Sequence, residues 1–374
     1  MFKIAVDPHF EMNGVRKMKK NVVTLLSFFC ALVFLLSACT SPGGGATAAE
    51  TIEIVDMVGR TVTLPAPTAA SKAGSISPVA AYMIYTVNPD KLLGWNYELN
   101  ELERSHILED YHSLPVYGMG DGLNKEAMIE AAPFFNLYIS DFLDESSIID
   151  ADRLQEDMDI PVIVISGALA DSAEAYRVLG KAMGEEQKAE DLAQYAEKTL
   201  AAIEAVEIPG GQRVSVYYGN GPLSLETTPQ GAPSSQVIDM VGGSNVAKPD
   251  IGSGNRIEIS LEQVLSWDPG VILVNGEPRE GVSGNSAAEQ ILSHPDWAEG
   301  SAVKNGRVYG SPKAPFSWID RPTGPNRLIG LKWLASLLYP DYYDIDIDEE
   351  VKTFYKLFYH EDLTDEQLGG LYLD

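Results

Sequence analysis

From Ile52 to Leu64 apolar and polar residues alternate twice. Ile52-Glu53-Ile54-Val55-Asp56 runs to a break at Gly59, and Thr61-Val62-Thr63-Leu64 follows before Pro65. Two alternating runs around a glycine-containing break predict a β-hairpin. Beyond it the pattern changes. Short apolar runs at Val116-Tyr117, Leu137-Tyr138-Ile139 and Val162-Ile163-Val164-Ile165 predict buried strands. Pro78 to Val87, Lys125 to Ala132 and Ser146 to Met158 carry helical patterns between them. Strand and helix in alternation predict a mostly parallel sheet covered on both faces.

Glu185 to Val206 has neither Gly nor Pro, and Leu192, Tyr195, Leu200 and Ile203 recur at helical spacing. This predicts one helix of about 22 residues, about 33 Å long, stopped by Pro209-Gly210-Gly211. Val214-Ser215-Val216-Tyr217-Tyr218 restarts the alternation, through Val271-Ile272-Leu273-Val274 and Arg307-Val308-Tyr309. The predicted fold is α/β, with two Rossmann-like lobes of mostly parallel sheet joined by one long α-helix. The predicted boundaries are 51–184 for the first lobe, 185–208 for the helix and 209–374 for the second lobe. A single helical connection resists a wide hinge, so closure on a ligand is expected to be modest, which scattering with and without ligand would read.

The N-terminal region carries an address rather than a fold. Lys19-Lys20 precede eighteen uncharged residues, Asn21 to Ala38, which end in Leu36-Ser37-Ala38-Cys39. A short basic region, an apolar core and small residues before a cleavage point read as a secretory signal. The ending resembles the bacterial lipobox, in which the cysteine is lipidated and becomes the new N-terminus. Residues 1–38 are therefore read as a lipoprotein signal peptide and residues 39–50, rich in Gly, Ala and Thr, as a flexible tether. From Met18 the signal has an ordinary length, so a start at Met18 rather than Met1 stays open. The mature chain is expected at the extracytoplasmic face of a cell membrane, held through Cys39 by at least two acyl chains.

Charge narrows the partners. The 374-residue chain carries −27, and five basic against two acidic side chains fall in residues 1–38, so the remainder carries about −30. Such a surface repels nucleic acid. Cys30 leaves with the signal and Cys39 is the lipid site, so no thiol pair is left for a disulfide. His9, His106, His112, His294 and His360 are scattered, without the spacing of a zinc site. Gly118-Met119-Gly120-Asp121-Gly122 misses the dinucleotide fingerprint, and neither a Walker lysine nor a Gly-x-Ser-x-Gly elbow occurs. No cofactor and no metal centre are expected. Asp341 to Glu350 reads as a solvated face, and Phe354 to Tyr359 as the apolar side of a C-terminal helix.

The two lobes repeat a local unit. Asn124-Lys125-Glu126 leads through Met128 and Ile129 to Pro133 and a strand; Ser260-Leu261-Glu262 leads through Val264 and Leu265 to Pro269 and a strand. Gly120 and Gly122 lie upstream of the first, Gly252 and Gly254 upstream of the second.

Together with this repeat, several segments resemble the substrate-binding lipoproteins of ABC importers, in the branch that handles ferric siderophores, haem and corrinoids. They are Asp56 to Leu64, Ser77-Pro78, Asp90-Lys91-Leu92-Leu93-Gly94-Trp95 and Pro315-Phe316-Ser317-Trp318-Ile319-Asp320-Arg321-Pro322. The resemblance spans residues 51 to about 360. It departs at Pro133-Phe134-Phe135 and Pro269-Gly270, where the family usually has Pro-Asp. It implies the class III periplasmic-binding-protein fold, no enzymatic activity, and delivery of a metal chelate to an ABC permease by a monomer. It also implies that Glu126 and Glu262 dock onto permease arginines; a first-turn glutamate is equally favoured by the helix dipole alone.

The ligand is expected between the lobes, beyond the carboxyl ends of strands. Candidate contacts are Trp95, Asn96, Tyr97 and Met119 from the first lobe, and Tyr218, Asn220, Trp318 and Arg321 from the second. Arg321 beside Trp318 offers a positive fork and a flat apolar face; alternatively Asp320 pairs with Arg321 and Trp318 packs into the core. Ferric siderophore is the first expectation, haem or corrinoid the next, and an oxyanion such as molybdate an alternative. A secreted α/β hydrolase with a carboxylate or histidine site, and an adhesion or scaffold lipoprotein without a small ligand, are the rival readings.

Overall fold

The opening hairpin forms as the alternation predicts. Strand β1 (Thr51–Val55) pairs antiparallel with β2 (Thr61–Pro65), with Ile54 opposite Val62. Ile54, Val62 and Leu64 turn inward and are buried. Asp56, also buried, fixes the hairpin to the body of the protein. Its carboxylate accepts from Arg60 Nη2 at 2.8 Å and from the backbone N–H of Val164 at 3.3 Å, while the same Nη2 reaches the Val162 carbonyl. The computed structural model of the chain describes residues 50–251, 256–276 and 283–372. The signal peptide, Cys39, most of the tether, Gly252 and Gly254 lie outside the described residues. Among the described residues, no helix is long and apolar enough to cross a membrane.

The first lobe continues with β3 (Ala73–Ser75), α1 (Pro78–Val87), α2 (Glu101–Arg104), α3 (Lys125–Ala131), β4 (Phe135–Ser140), α4 (Glu145–Met158) and β5 (Val162–Ser166). Its sheet is parallel, in the order β3-β4-β5, with Leu137 of β4 beside Ile163 of β5. Ser77 caps α1 through Ala80 N–H and Asp144 caps α4, as short polar residues before apolar runs do. The strand expected at Val116-Tyr117 shrinks to one parallel bridge between Val116 and Trp95. The physical reason is local: Val116 is on an open edge, 45 % exposed, and Gly118 turns the chain away at φ +77°.

Two helices lead out of this lobe. The first, α5 (Ser172–Met183), had no counterpart among the sequence expectations; α6 (Glu186–Glu204) is the long Gly- and Pro-free helix. Gly184, at φ +70°, makes the corner between them. Their packing is close, because a Cβ on Gly180 would lie 2.2 Å from Ala189 Cβ. Leu192, Ala196, Thr199 and Ile203 form the buried side of α6.

The second lobe comprises β6 (Ser215–Asn220), β7 (Glu226–Thr227), α7 (Gln236–Met240), β8 (Ser244–Asn245), β9 (Ile257–Glu258), α8 (Leu261–Trp267), β10 (Val271–Val274), α9 (Gly284–Ser293), α10 (Ser301–Lys304), β11 (Val308–Gly310), α11 (Arg327–Leu338), α12 (Ile347–Phe354) and α13 (Asp365–Leu371). Parallel β11-β10-β6 is its centre; β8 joins β6 in parallel, and β7 and β9 extend the edge antiparallel.

The C-terminal segment does not stay with the second lobe. After α12 a π-helical turn, Tyr355–Tyr359, stacks Phe358 on Phe354 and ends at His360 in the left-handed conformation. There His360 Nε2 donates to the Tyr85 carbonyl of α1 at 3.1 Å, Glu361 pairs with His106 at 2.8 Å, and Lys188 of α6 donates to the Leu357 carbonyl. Beside them Tyr82 of α1 stacks on Phe316, ring centroids 3.5 Å apart.

His360 gives this seam a pH dependence. Burial, helped by Lys188, pulls its imidazole below the ordinary value, against the opposing hydrogen bond to Tyr85. The folded state therefore prefers the neutral ring. Above the unfolded value of about 6.5 neither state is charged and nothing is lost. As pH falls through that value the unfolded chain takes up the proton first, and stability declines. Urea unfolding from neutral to mildly acidic pH is expected to show a shallower decline for His360→Asn, which tolerates the same left-handed backbone.

Candidate functional site

Beyond the ends of two first-lobe strands, facing the α7 segment of the second lobe, a cavity of about 520 Å³ opens. Asp141 and Phe142 follow the carboxyl end of β4, and Gly167 and Ala168 follow β5. The opposite wall is Gly231, Ala232, Pro233, Gln236, Asp239 and Met240, the segment entering and forming α7, with Arg327 from the first turn of α11.

Arg327 is the centrepiece of this wall. It is 2 % exposed, yet among the described residues no carboxylate lies within ion-pairing distance of it. Its guanidinium is satisfied by neutral oxygens instead. Nε donates to Gly324 O at 3.3 Å; Nη1 donates to Pro233 O at 3.4 Å and Gln236 Oε1 at 3.2 Å; Nη2 donates to Gly167 O at 2.7 Å and Thr323 O at 3.0 Å. All five N–H directions of the fork are used. One bond, to Gly167, ties the lobes together across the floor of the cleft. Burial lowers the guanidinium pKa to about 10, with Asp141 and Asp320 opposing the shift from a distance.

The cavity carboxylates have different surroundings. Asp141 Oδ1 lies over Gly167, where a Cβ would approach it to 2.5 Å. Asp239 Oδ2 accepts from Gly231 N–H at 3.0 Å, and burial raises its carboxyl above the usual range.

The residues chosen from the sequence lie elsewhere. Asn96, Tyr218, Asn220 and Trp318 are buried and outside this cavity. Trp318 meets Trp333 and Tyr372 edge-on, a core position, because α11 passes directly against its backbone. Asn96 bonds Ser75 and the Gly118 carbonyl, bracing the first sheet. Tyr218 lies beside buried Asp320, on a strand face covered by the 314–325 loop. Arg321 is half-exposed, with its Nε 4.0 Å from Asp320 Oδ2. Trp95 and Tyr97 line a separate pocket of about 250 Å³ with Arg104 and His112, and Met119 is exposed in its glycine loop.

What the sequence reading missed are Asp141, Gln236, Asp239 and Arg327. Asp141 was within reach of the rule it used: the strands at 137–139 and 162–165 were identified, but the carboxyl-end argument was applied to other strands.

The repeated unit, in contrast, is real in three dimensions. Helices α3 and α8 each have seven residues, with Asn124 and Ser260 as N-caps. They end at left-handed residues of nearly identical geometry, Ala132 (φ 47°, ψ 59°) and Asp268 (φ 44°, ψ 62°), before Pro133 and Pro269. Glu126 and Glu262 occupy the same first-turn position and are both exposed. The Glu262 backbone N–H and the Ser260 hydroxyl hold the Glu262 carboxyl below the usual range. Among the described residues, no group of three or more His, Cys, Asp or Glu side chains could hold a metal ion.

Comparison with known proteins agrees with this architecture. The family described as periplasmic binding protein matches residues 103–315, more than half of the chain. An ABC transporter solute-binding protein from Sulfurospirillum deleyianum superposes with a TM-score of 0.76 at 28 % identity, over 86 % of this chain and 99 % of that one. The molybdate-binding protein MolA of Haemophilus influenzae is 26 % identical over 296 residues, 73 % of this chain and 78 % of that protein. Its molybdate-bound structure superposes with a TM-score of 0.64 at 22 % identity, over 84 % of this chain and 99 % of that one. The two-lobed α/β architecture, the doubled Glu-bearing helix and these matches lead to one assignment: the chain belongs to the periplasmic binding protein family, whose class III members are extracytoplasmic solute-binding components of ABC transporters and not enzymes.

Proposed function

We propose that this protein captures a bulky organic metal chelate and hands it to the permease of an ABC importer. A ferric siderophore is the first choice, and haem or a corrinoid the next. The observation that supports this is the cavity itself. About 520 Å³ between the lobes, walled by Phe142, Ala168, Pro233 and Met240 as well as by polar groups, suits an organic ligand of considerable size. A four-oxygen anion would fill only a small part of it. Molybdate is the second reading, supported by the relative from H. influenzae that binds it. An absorption spectrum of protein purified from its native host tests the choice. Ferric siderophores, haem and corrinoids have visible bands, whereas a colourless preparation that contains molybdenum by mass spectrometry favours the oxyanion.

Glu126 and Glu262 are proposed to dock on the permease, one from each lobe. Charge complementarity of this kind sets encounter and orientation. Reversing both, Glu126→Arg with Glu262→Arg, is expected to lower uptake at least about tenfold while ligand affinity in solution stays unchanged. Transport in cells beside a binding titration checks this, and unaltered uptake refutes it. The protein is proposed to act as a monomer anchored through a lipidated Cys39; a Cys39→Ser chain that stays in the membrane fraction would refute the anchor.

A further inference from the structure

We infer that the cleft selects a solute presenting positive charge or N–H and O–H donors to Asp141 and Asp239, and rejects bare oxyanions. This rests on the reading above that the solute is an organic chelate and names the chemical character of the face it offers.

The cavity has one positively charged group among its described walls, Arg327, and every N–H of that group is already committed to a protein oxygen. An anion could take a bond from it only by breaking one of five, including the bond to Gly167 that joins the lobes. Three backbone donors of the wall are committed as well, and Gln236 Nε2 adds an uncharged amide donor. Gly167 N–H donates to Ser140 O, Ala168 N–H to Ser166 Oγ, and Gly231 N–H to Asp239. Two carboxylates remain as acceptors, one from each lobe. Asp239 Oδ1 is buried and makes no hydrogen bond within 3.5 Å, with the Gln230 side chain close by. When both are ionised, two carboxylates outnumber the one guanidinium of the described wall, in a chain of −27, with Lys248 acting on Asp239 from outside it. Low-dielectric walls concentrate a field of that sign and repel an approaching dianion. Arg327 acts here as a fixed counter-charge that keeps two carboxylates tolerable in one cavity. It is a positioning group, not a ligand clamp.

The test is a set of titrations followed by quenching of intrinsic fluorescence. The probes are the cationic ferric trihydroxamate ferrioxamine B, its neutral N-acetylated counterpart, an anionic ferric tricatecholate, and sodium molybdate. The expected order is cationic, then neutral, then anionic chelate, with no saturable molybdate binding. Asp141→Asn with Asp239→Asn keeps the shape of both side chains. It is expected to weaken the cationic probe by about tenfold or more, and the neutral one by a smaller factor, through its N–H donors alone. Added salt should weaken only the former. Chelates that bind with the tricatecholate tightest, or a double variant that loses nothing for the cationic probe, overturn this inference and leave the chelate reading standing. Binding of molybdate with no chelate bound, or no binding by any of the four, overturns both.

Discussion

Replacing Arg327 with leucine is expected to cost about 3–5 kcal/mol of stability. Hydrogen bonds to a charged donor contribute about 1.5–3 kcal/mol each, and Arg327 makes five. Against them stands the cost of burying the charge. A guanidinium brought down to about 10 has lost roughly 3 kcal/mol of preference for its ionised form. The bonds therefore outweigh the burial, although water entering the cavity would recover part of what the carbonyls lose. Lysine is the informative second substitution. It keeps the charge but has three donors on a tetrahedral nitrogen instead of a planar fork, so at least two oxygens lose their partner. About half of the leucine effect is expected. Urea midpoints at constant slope read both values, and a leucine variant within about 1 kcal/mol of the parent would show that the network contributes little.

The second large effect is expected at Gly330→Ala. On helix propensity alone this change should stabilise an α-helix by about 1 kcal/mol. Packing reverses the sign. A Cβ at Gly330 would stand 1.7 Å from the Trp318 carbonyl oxygen and 2.7 Å from its carbon. Both are backbone atoms of the loop that also carries Phe316, Thr323 and Gly324, so no side chain can swing aside. Either α11 or the loop must move by more than an ångström, and overpacking of that kind costs about 3 kcal/mol or more. The loop packs Phe316 on Tyr82 and supplies two acceptors to Arg327, so the displacement should also reach the cleft. A lowered urea midpoint together with weaker ligand binding is the expected result. A variant as stable as the parent would mean that the helix and loop are not packed as described.

The fold was legible wherever a period was strong. Pro78–Val87 is a helix with the predicted bounds, and β4, β5, β6, β10 and β11 fall on the apolar runs that announced them. The long helix is shorter than expected, Glu186–Glu204, because the chain leaves helical geometry after Ala205 ahead of Pro209. The site was much less legible. Trp95, Trp318 and Tyr218 were chosen for aromatic chemistry, but large aromatic side chains bury area wherever a core can accept them, and these three did. Arg327 gave the opposite signal. A positive charge in the first turn of a helix opposes the macrodipole, so that position makes no sense for the helix alone.

The return of the chain's end to α1 bears on how the protein is made. Tyr85 and His106 come early in the sequence, and the groups that complete their surroundings, His360 and Glu361, are made 275 and 255 residues later. A nascent first lobe therefore emerges with one flank unfinished and cannot reach its full stability until that segment has followed. Cutting the gene between the lobes should yield fragments that need each other, rather than two independent folding units.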